Sequence, residues 1–205
     1  MLLTERLALR QFTAVDVDGL LALDGDPRVL RFLDRTAKSR AQIQAEVLPR
    51  FLGRYARHPG FGCWAAEARR DGGFIGWFGL RPVRPTAAAM VHWPDAPPGP
   101  VTVASLGYRL RVSAWGQGYA TEGARALVRR AFTELGVTRL VATTMAVNTG
   151  SRRVLAKAGL RYLRTVHLDW PDPLPGNEQG DVEYQLHRAD WHPSNTLICR
   201  TPSPG

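Results

Sequence analysis

The sequence predicts an α/β fold: one domain with a mixed central sheet and helices on both faces. Three observations predict it. Segments with period-two and helical-period hydrophobicity follow one another as strand, two helices, three strands, helix, strand, helix and two strands. The chain has 205 residues, enough for one ordinary core and too few for two full domains. Apolar residues make up 44% and charged residues 22%, a balance that excludes a disordered or fibrous chain.

Taken in order, Thr4 to Arg10 alternates Leu7 and Leu9 with polar or small neighbours, as a half-buried strand does. Thr13 with Asp16 has the spacing of a capping box and opens a short helix through Leu20, Leu21 and Leu23, which Gly25-Asp26-Pro27 ends. Ser39 with Gln42 is a second box. The helix it opens carries Ile43, Val47, Leu48, Phe51, Leu52 and Tyr55 at helical spacing, and His58-Pro59-Gly60 breaks it. Phe61 to Ala68 and Gly73 to Leu80 form a hairpin about Arg70-Asp71-Gly72. Residues 82–100 contain six prolines and read as a long irregular loop. Val101 to Val112 is the next strand, with Gly107 expected at a bulge or close approach. The following helix carries Ala124, Leu127, Val128, Ala131, Phe132 and Leu135 on one face and ends at Gly136. Arg139 to Met145 is a strand, Asn148 to Ala158 a helix, Leu160 to Leu168 a strand, 170–180 a loop and Val182 to Leu186 the last strand. Residues 1–191 are expected to form the domain. Residues 192–205, with Pro193, Pro202 and Pro204, are expected to be a mobile tail.

Composition narrows the function. No apolar run reaches membrane-spanning length and the N-terminus lacks the pattern of a secretory signal, so a cytoplasmic protein with no membrane partner is expected. Cys63 and Cys199 stand far apart without a C-x-x-C, which argues against a disulfide framework and a bound metal. The formal charge of +9 suits a polyanion or one anion site. The basic residues are 25 Arg and two Lys, a compositional skew without a basic tail, stripe or nucleic-acid motif, so a nucleic-acid partner is not expected.

Chemistry concentrates in two segments. The first is the strand–helix junction Trp115-Gly116-Gln117-Gly118-Tyr119-Ala120-Thr121-Glu122. Small residues let the backbone approach a ligand, and the unpaired N–H groups of a helix start, with the helix dipole, suit a phosphate. The loop is neither a Walker A nor a dinucleotide fingerprint, and alone it is equally a tight turn without a ligand. The second segment runs from Asn148-Thr149-Gly150-Ser151 to Lys157-Ala158-Gly159-Leu160. Alone, Asn148 or Ser151 is simply an N-cap.

Together these segments resemble the GNAT superfamily of N-acetyltransferases, and within it the RimJ/RimL-like branch. The resemblance runs from Leu3 to about Trp191 and also takes in Leu3-Thr4-Glu5-Arg6-Leu7-Ala8-Leu9-Arg10, Gly73 to Leu80 and Leu106-Gly107-Tyr108-Arg109-Leu110. It implies a sheet splayed around acetyl-CoA. By position, Leu110, Arg111 and Val112 would pair with the pantetheine arm through the backbone. Gln117, Gly118, Tyr119, Ala120 and Thr121 would hold the pyrophosphate. Asn148 would bond the cofactor's amide portion, and Ser151 would donate to the leaving thiolate. Arg152, Arg153 and Lys157 would face the phosphates, with a solvated helix face the alternative for at least one of them. Trp115 stands where the superfamily usually has Gln or Arg, as is common in this branch. Ser105 stands where relatives often carry a Glu that serves as general base, and serine cannot do that unaided near neutral pH. Substitute bases are Glu67, His167, Asp169, Asp181 and Glu183; each is otherwise an ordinary surface or loop group. Glu122, in a helix first turn, reads as structural.

The expected activity is acetyl transfer from acetyl-CoA to a primary amine by direct attack in a ternary complex. The acceptor is a small-molecule amine or a protein N-terminus. A non-catalytic acyl-CoA sensor on the same fold is the alternative, and a homodimer is left open. Loops 82–100 and 170–180 are expected to border the acceptor pocket, where Asp169, Asp172 and Glu178 could meet a cationic amine.

Overall fold

The computed structural model describes residues 1–33 and 36–193. Among these, the strands are β1 (Leu2–Leu3), β2 (Leu7–Gln11), β3 (Gly62–Ala68), β4 (Phe74–Pro82), β5 (Val103–Leu110), β6 (Arg139–Met145), β7 (Arg161–Val166) and β8 (Asp181–His187). They make one sheet in the order β1-β2-β3-β4-β5-β6-β8-β7. Neighbours run antiparallel except β5 and β6, which are parallel. Helix α1 (Val17–Asp24) is followed by α2 (Pro27–Leu30), α3 (Arg40–Gln42), a π turn over Ile43–Val47 and α4 (Leu48–Arg57). Helix α5 (Tyr119–Thr133) crosses from β5 to β6, and α6 (Thr149–Lys157) follows β6.

Alternation along β3 shows how the two layers are covered. Trp64 and Ala66 enter a core with Phe78, Leu106, Leu140 and the α5 residues Ala124, Leu127, Val128 and Phe132. Cys63 and Ala65 enter the opposite core with Val17, Leu20, Ile43, Val47 and Phe51. A strand buried on both faces loses the polar alternation that marks a half-exposed one. Helix α5 packs close, because a Cβ at Gly123 would lie 2.3 Å from the Phe78 ring.

Four expectations are corrected. The first strand does not run unbroken from Thr4. The Thr4 hydroxyl accepts the Leu7 N–H at 2.9 Å and the Thr4 N–H donates to the Leu7 carbonyl, so a turn separates β1 from β2. Gly25-Asp26-Pro27 ends one helix but starts another, with Asp26 capping Arg28 and Pro27 in the first turn. The long second helix is interrupted at Ile43–Val47. Pro49 has no N–H and its ring crowds the carbonyl four residues back, and the wider π turn relieves that crowding. Finally, Gly107 carries no bulge, since β4 and β5 pair without a break across it. Register shifts lie instead between β3 and β4 at Ala66/Glu67 and between β7 and β8 at Tyr162/Arg164. The close approach is at Gly76 (φ +141°), where a Cβ would lie 2.1 Å from the Arg109 carbonyl oxygen.

The proline-containing loop 82–100 is irregular, with a bridge between Val83 and Asp95 and a short turn at Met90–His92. Its Val83, Met90 and Trp93 pack on Val141 of β6. Strand β4 runs on to Pro82, past its last β3 partner at Leu80, so that proline sits at a strand end. Of the expected tail, residues 194–205, and Cys199 with them, lie outside the described residues.

Candidate functional site

The parallel ladder between β5 and β6 is short. It pairs Val103 with Arg139, Ala104 with Leu140 and Ser105 with Val141, and then stops. Leu106 to Leu110 continue β5 and Ala142 to Met145 continue β6 without pairing to each other. Ser105 is therefore at the apex of a wedge, and the two strands lead to the two segments singled out in the sequence.

At the end of the β5 arm, the Leu110 carbonyl accepts the Trp115 indole N–H at 2.8 Å and the Arg111 N–H donates to the Ile75 carbonyl at 2.8 Å. Both groups are thus committed within the chain, and Trp115 serves to brace the strand end. Val112 opens a short turn to Ala114. Gly118 is the N-cap of α5 and adopts φ +84°, a conformation that needs glycine. Nothing lies within 4 Å of where a Cβ at Gly116 would stand. The N–H groups of Tyr119, Ala120 and Thr121 lie in the first turn of a 15-residue helix, which has no intrahelical acceptors for them.

A long-range clamp fixes this junction. The Arg6 guanidinium donates to the Gln117 carbonyl at 2.8 Å through Nη1 and to Glu122 Oε2 at 2.7 Å through Nε, and it lies 4.6 Å from the Tyr119 ring centroid. The Thr4 hydroxyl and the Arg6 N–H reach Glu122 Oε1 at 2.6 and 2.8 Å. Burial pushes the Glu122 carboxyl up, but these hydrogen bonds outweigh it and hold the group below its ordinary value.

The β6 arm leads to α6. Asn148 is its N-cap, with Oδ1 accepting the Ser151 N–H at 3.1 Å. The capping reading is thus met by Asn148, whose amide NH2 is what it has to offer a ligand. The Ser151 hydroxyl lies 3.0 Å from the Tyr108 hydroxyl, which is also 3.2 Å from the Ser151 carbonyl oxygen. Burial pushes the Tyr108 phenol up to about 12, against the lowering effect of Ser151. Arg153 and Lys157 are exposed one helical turn apart, and the Lys157 carbonyl accepts Arg125 Nε of α5 at 2.8 Å. Arg152 instead braces Ala146 and Tyr184.

The base candidates are placed less favourably. Glu183 is fully buried, with Oε1 accepting the Met90 N–H and Oε2 the Arg164 guanidinium, both at 2.6 Å. Asp181 accepts the Trp170 indole N–H at 3.2 Å. Glu67 pairs with Arg10. His167 and Asp169 are exposed just after β7. No motif marks Asp24, which is 5% exposed at the end of α1 and bonds Arg109 of the β5 arm at 2.5 Å. Cys63 is buried, and burial pushes its thiol up to about 11, which makes it a poor nucleophile.

Next to the wedge, a cavity of about 900 Å³ lies between Gly25, Pro27, Leu30 and Phe32 on one side and Val147 and Leu174 on the other. Its charged lining among the described residues is Arg31 and Glu178. Loop 82–100 meets the segment after β7 where His92 packs against Trp170, with ring centroids 5.6 Å apart. A smaller cavity of about 270 Å³ is lined by Asp26, Arg111, Val112 and Ser113. The Arg111 Nε is buried there without a hydrogen-bond partner among the described residues. An open wedge, a glycine-built helix start and an orphaned guanidinium N–H together fit a long ligand with anionic groups.

Comparison with known proteins gives the same result. Residues 6–161 match the family described as Acetyltransferase (GNAT) domain. The chain is 34% identical to the FsC-acetyl coenzyme A-N(2)-transacetylase of Aspergillus fumigatus over 83% of its own length and 69% of that protein's. Its fold resembles that of the ribosomal alpha-N-protein acetyltransferase RimL in complex with coenzyme A, at a TM-score of 0.68, 18% identity and coverage of 90% and 95% of the two chains. The spermidine N-acetyltransferase of Vibrio cholerae, in complex with CoA and spermine, is similar at a TM-score of 0.67, 13% identity and coverage of 91% and 98%.

Proposed function

Because the chain belongs to the GNAT acetyltransferase family, we propose that its wedge and the adjoining cavity move an acetyl group from acetyl-CoA to a primary amine by direct attack in a ternary complex. Acetyl-CoA supplies the acetyl group already activated as a thioester. The observation that carries this proposal is the parting of β5 from β6 after Ser105 and Val141, beside the glycine-built start of α5.

Within that frame, the backbone N–H groups from Gln117 to Thr121 hold the pyrophosphate, with Arg153 and Lys157 offering charge to the phosphates. The backbone groups of Leu110, Arg111 and Val112 that are not engaged within the chain align the pantetheine arm. The Asn148 NH2 donates to its amides, and the Ser151 hydroxyl donates to the leaving sulfur. Holding donor and acceptor together supplies much of the rate enhancement. We place the chain in the RimJ/RimL-like branch, working in the cytoplasm, with residues 1–191 as the catalytic unit. Among the described residues no helix is long and apolar enough to cross a membrane.

The cavity favours an acceptor with one amine on a largely apolar or neutral body. Polycationic acceptors need several carboxylates, and Arg31 offsets Glu178 in the described lining. The fungal relative's name specifies transfer to one nitrogen, N(2), which supports a single acceptor amine. A mass-spectrometric screen of α-amino esters, peptides, polyamines and aminoglycosides with acetyl-CoA tests this. Acetylation confined to α-amines is expected, and turnover of polycations alone would refute the acceptor class.

A further inference from the structure

We propose that Tyr108 is a positioning residue for the transfer, its phenol holding the Ser151 hydroxyl in the orientation that presents the serine proton to the departing sulfur. This rests on the leaving-group role given to Ser151 above.

Tyr108 lies on β5 three residues past the apex at Ser105, and Ser151 lies in the first turn of α6, at the end of the other arm. Their 3.0 Å contact therefore spans the two walls of the wedge. The Ser151 backbone is fixed by the bond from its N–H to Asn148 Oδ1. What remains free is the side-chain torsion and the hydroxyl rotor, which in a lone serine sample several staggered positions. Tyr108 can restrict them because it is itself restricted: its ring packs 5.9 Å from the Phe78 ring, deep against the α5 core.

The direction of the bond follows from the chemistry of the two groups. Phenol and alcohol each have one proton. If Tyr108 donates to the serine Oγ, the serine proton is left to point into the wedge. The competing arrangement, with Tyr108 donating to the Ser151 carbonyl at 3.2 Å, would turn the serine proton back onto the phenol. That carbonyl lies inside α6, where the amide four residues on is its regular partner, so it has less need of the phenol. A phenol pushed up to about 12 stays protonated throughout any working range and keeps its role as donor. The serine then donates a hydrogen bond toward the sulfur without a full proton transfer, and the phenol behind it holds Oγ in place. Tyr108 therefore orients, and Ser151 makes the contact.

The test is a two-residue cycle in the full chain. Tyr108→Phe keeps the ring and its packing and removes one hydroxyl. The expected result is a fall in kcat of about fivefold to tenfold, the scale of one hydrogen bond, with CoA affinity by calorimetry changed less than about twofold. Ser151→Ala should lower kcat at least as far, and the double variant should be no slower than Ser151→Ala. A readout independent of turnover comes from urea unfolding of the ligand-free protein, where the midpoint shifts of the two single variants should not add in the double, since both remove the same bond. Full kcat in Tyr108→Phe alongside an impaired Ser151→Ala would overturn the role of Tyr108 alone, as would additive effects on both rate and midpoint. Full turnover in Ser151→Ala would instead overturn the leaving-group role, and with it any action of Tyr108 through that serine.

Discussion

Replacing Gly118 tests the cofactor site most directly, because the structure supplies both terms of its cost. Gly118 sits at φ +84°, and a side chain in that region costs roughly 1–2 kcal/mol. A Cβ there would also stand 3.2 Å from Arg6 Nη2, in the guanidinium that braces the Gln117 carbonyl and Glu122. The contact is tight and the arginine must give way, which loosens the clamp on the loop. If the loop relaxes in the free protein and must be restored to bind phosphate, binding bears the conformational cost, about a fivefold to thirtyfold loss of CoA affinity. Gly118→Val, branched at Cβ, should lose more than Gly118→Ala. Isothermal calorimetry with CoA measures the loss, and thermal unfolding of the same samples controls for general damage. CoA affinity within twofold of the parent in Gly118→Val, with an intact fold, would show that the junction does not hold the cofactor.

The remaining predictions concern pH. With Ser105 at the apex, the initial rate on a lysine-like acceptor should climb with a slope near one in log rate against pH up to the amine pKa; a plateau near pH 6–7 would reveal a titrating base, with His167 and Asp169 the first to mutate. Stability should hold at neutral pH and fall as pH drops below about 4. Burial pushes Asp16, Asp95 and Glu122 up, but hydrogen bonds from Arg10, from Arg54 and Arg81, and from Thr4 and Arg6 outweigh it and leave all three lowered. Groups with lowered folded values stabilise above their unfolded pKa and lose that contribution in acid. A urea midpoint unchanged from pH 7 to pH 3 would contradict these pairings.

What the sequence disclosed and what it hid divide by the range of the physics. Capping boxes at Thr13–Asp16 and Ser39–Gln42 and the Asp71-Gly72 turn are set by residues within four positions, and all three form. The strand Arg139–Met145 has the bounds its Val and Thr content suggests. Pro49 was a readable signal for the break in the second helix, yet the apolar period runs through it and masks it. The site was legible as motifs, but not as contacts. Tyr108 and Ser151 are 43 residues apart, Arg109 and Asp24 85, and Arg6 and Glu122 116. Glu122 was recognisable as structural from its place in a helix first turn, but its partners were not, because topology alone brings the β1–β2 turn beside the start of α5.

The same arginine-rich composition bears on the missing base. Candidate carboxylates are held by guanidinium groups: Asp24 by Arg109, Glu183 by Arg164 and Glu67 by Arg10. A carboxylate committed to its guanidinium partner is not free to face the acceptor amine. An acceptor entering such a site does best if its amine arrives neutral. An α-amine with a pKa near 7.8 is about one-third neutral at pH 7.5, whereas a lysine ε-amine near 10.4 is neutral in roughly one molecule in 800. Without a base at the apex, that difference in neutral fraction favours an α-amine, less what the more basic ε-amine regains in nucleophilicity once it is neutral. If Ser105 selects the amine class in this way, raising the pH should narrow the preference as the ε-amine deprotonates. Restoring a carboxylate with Ser105→Glu should narrow it at neutral pH, because the site would then supply what the α-amine brings for itself.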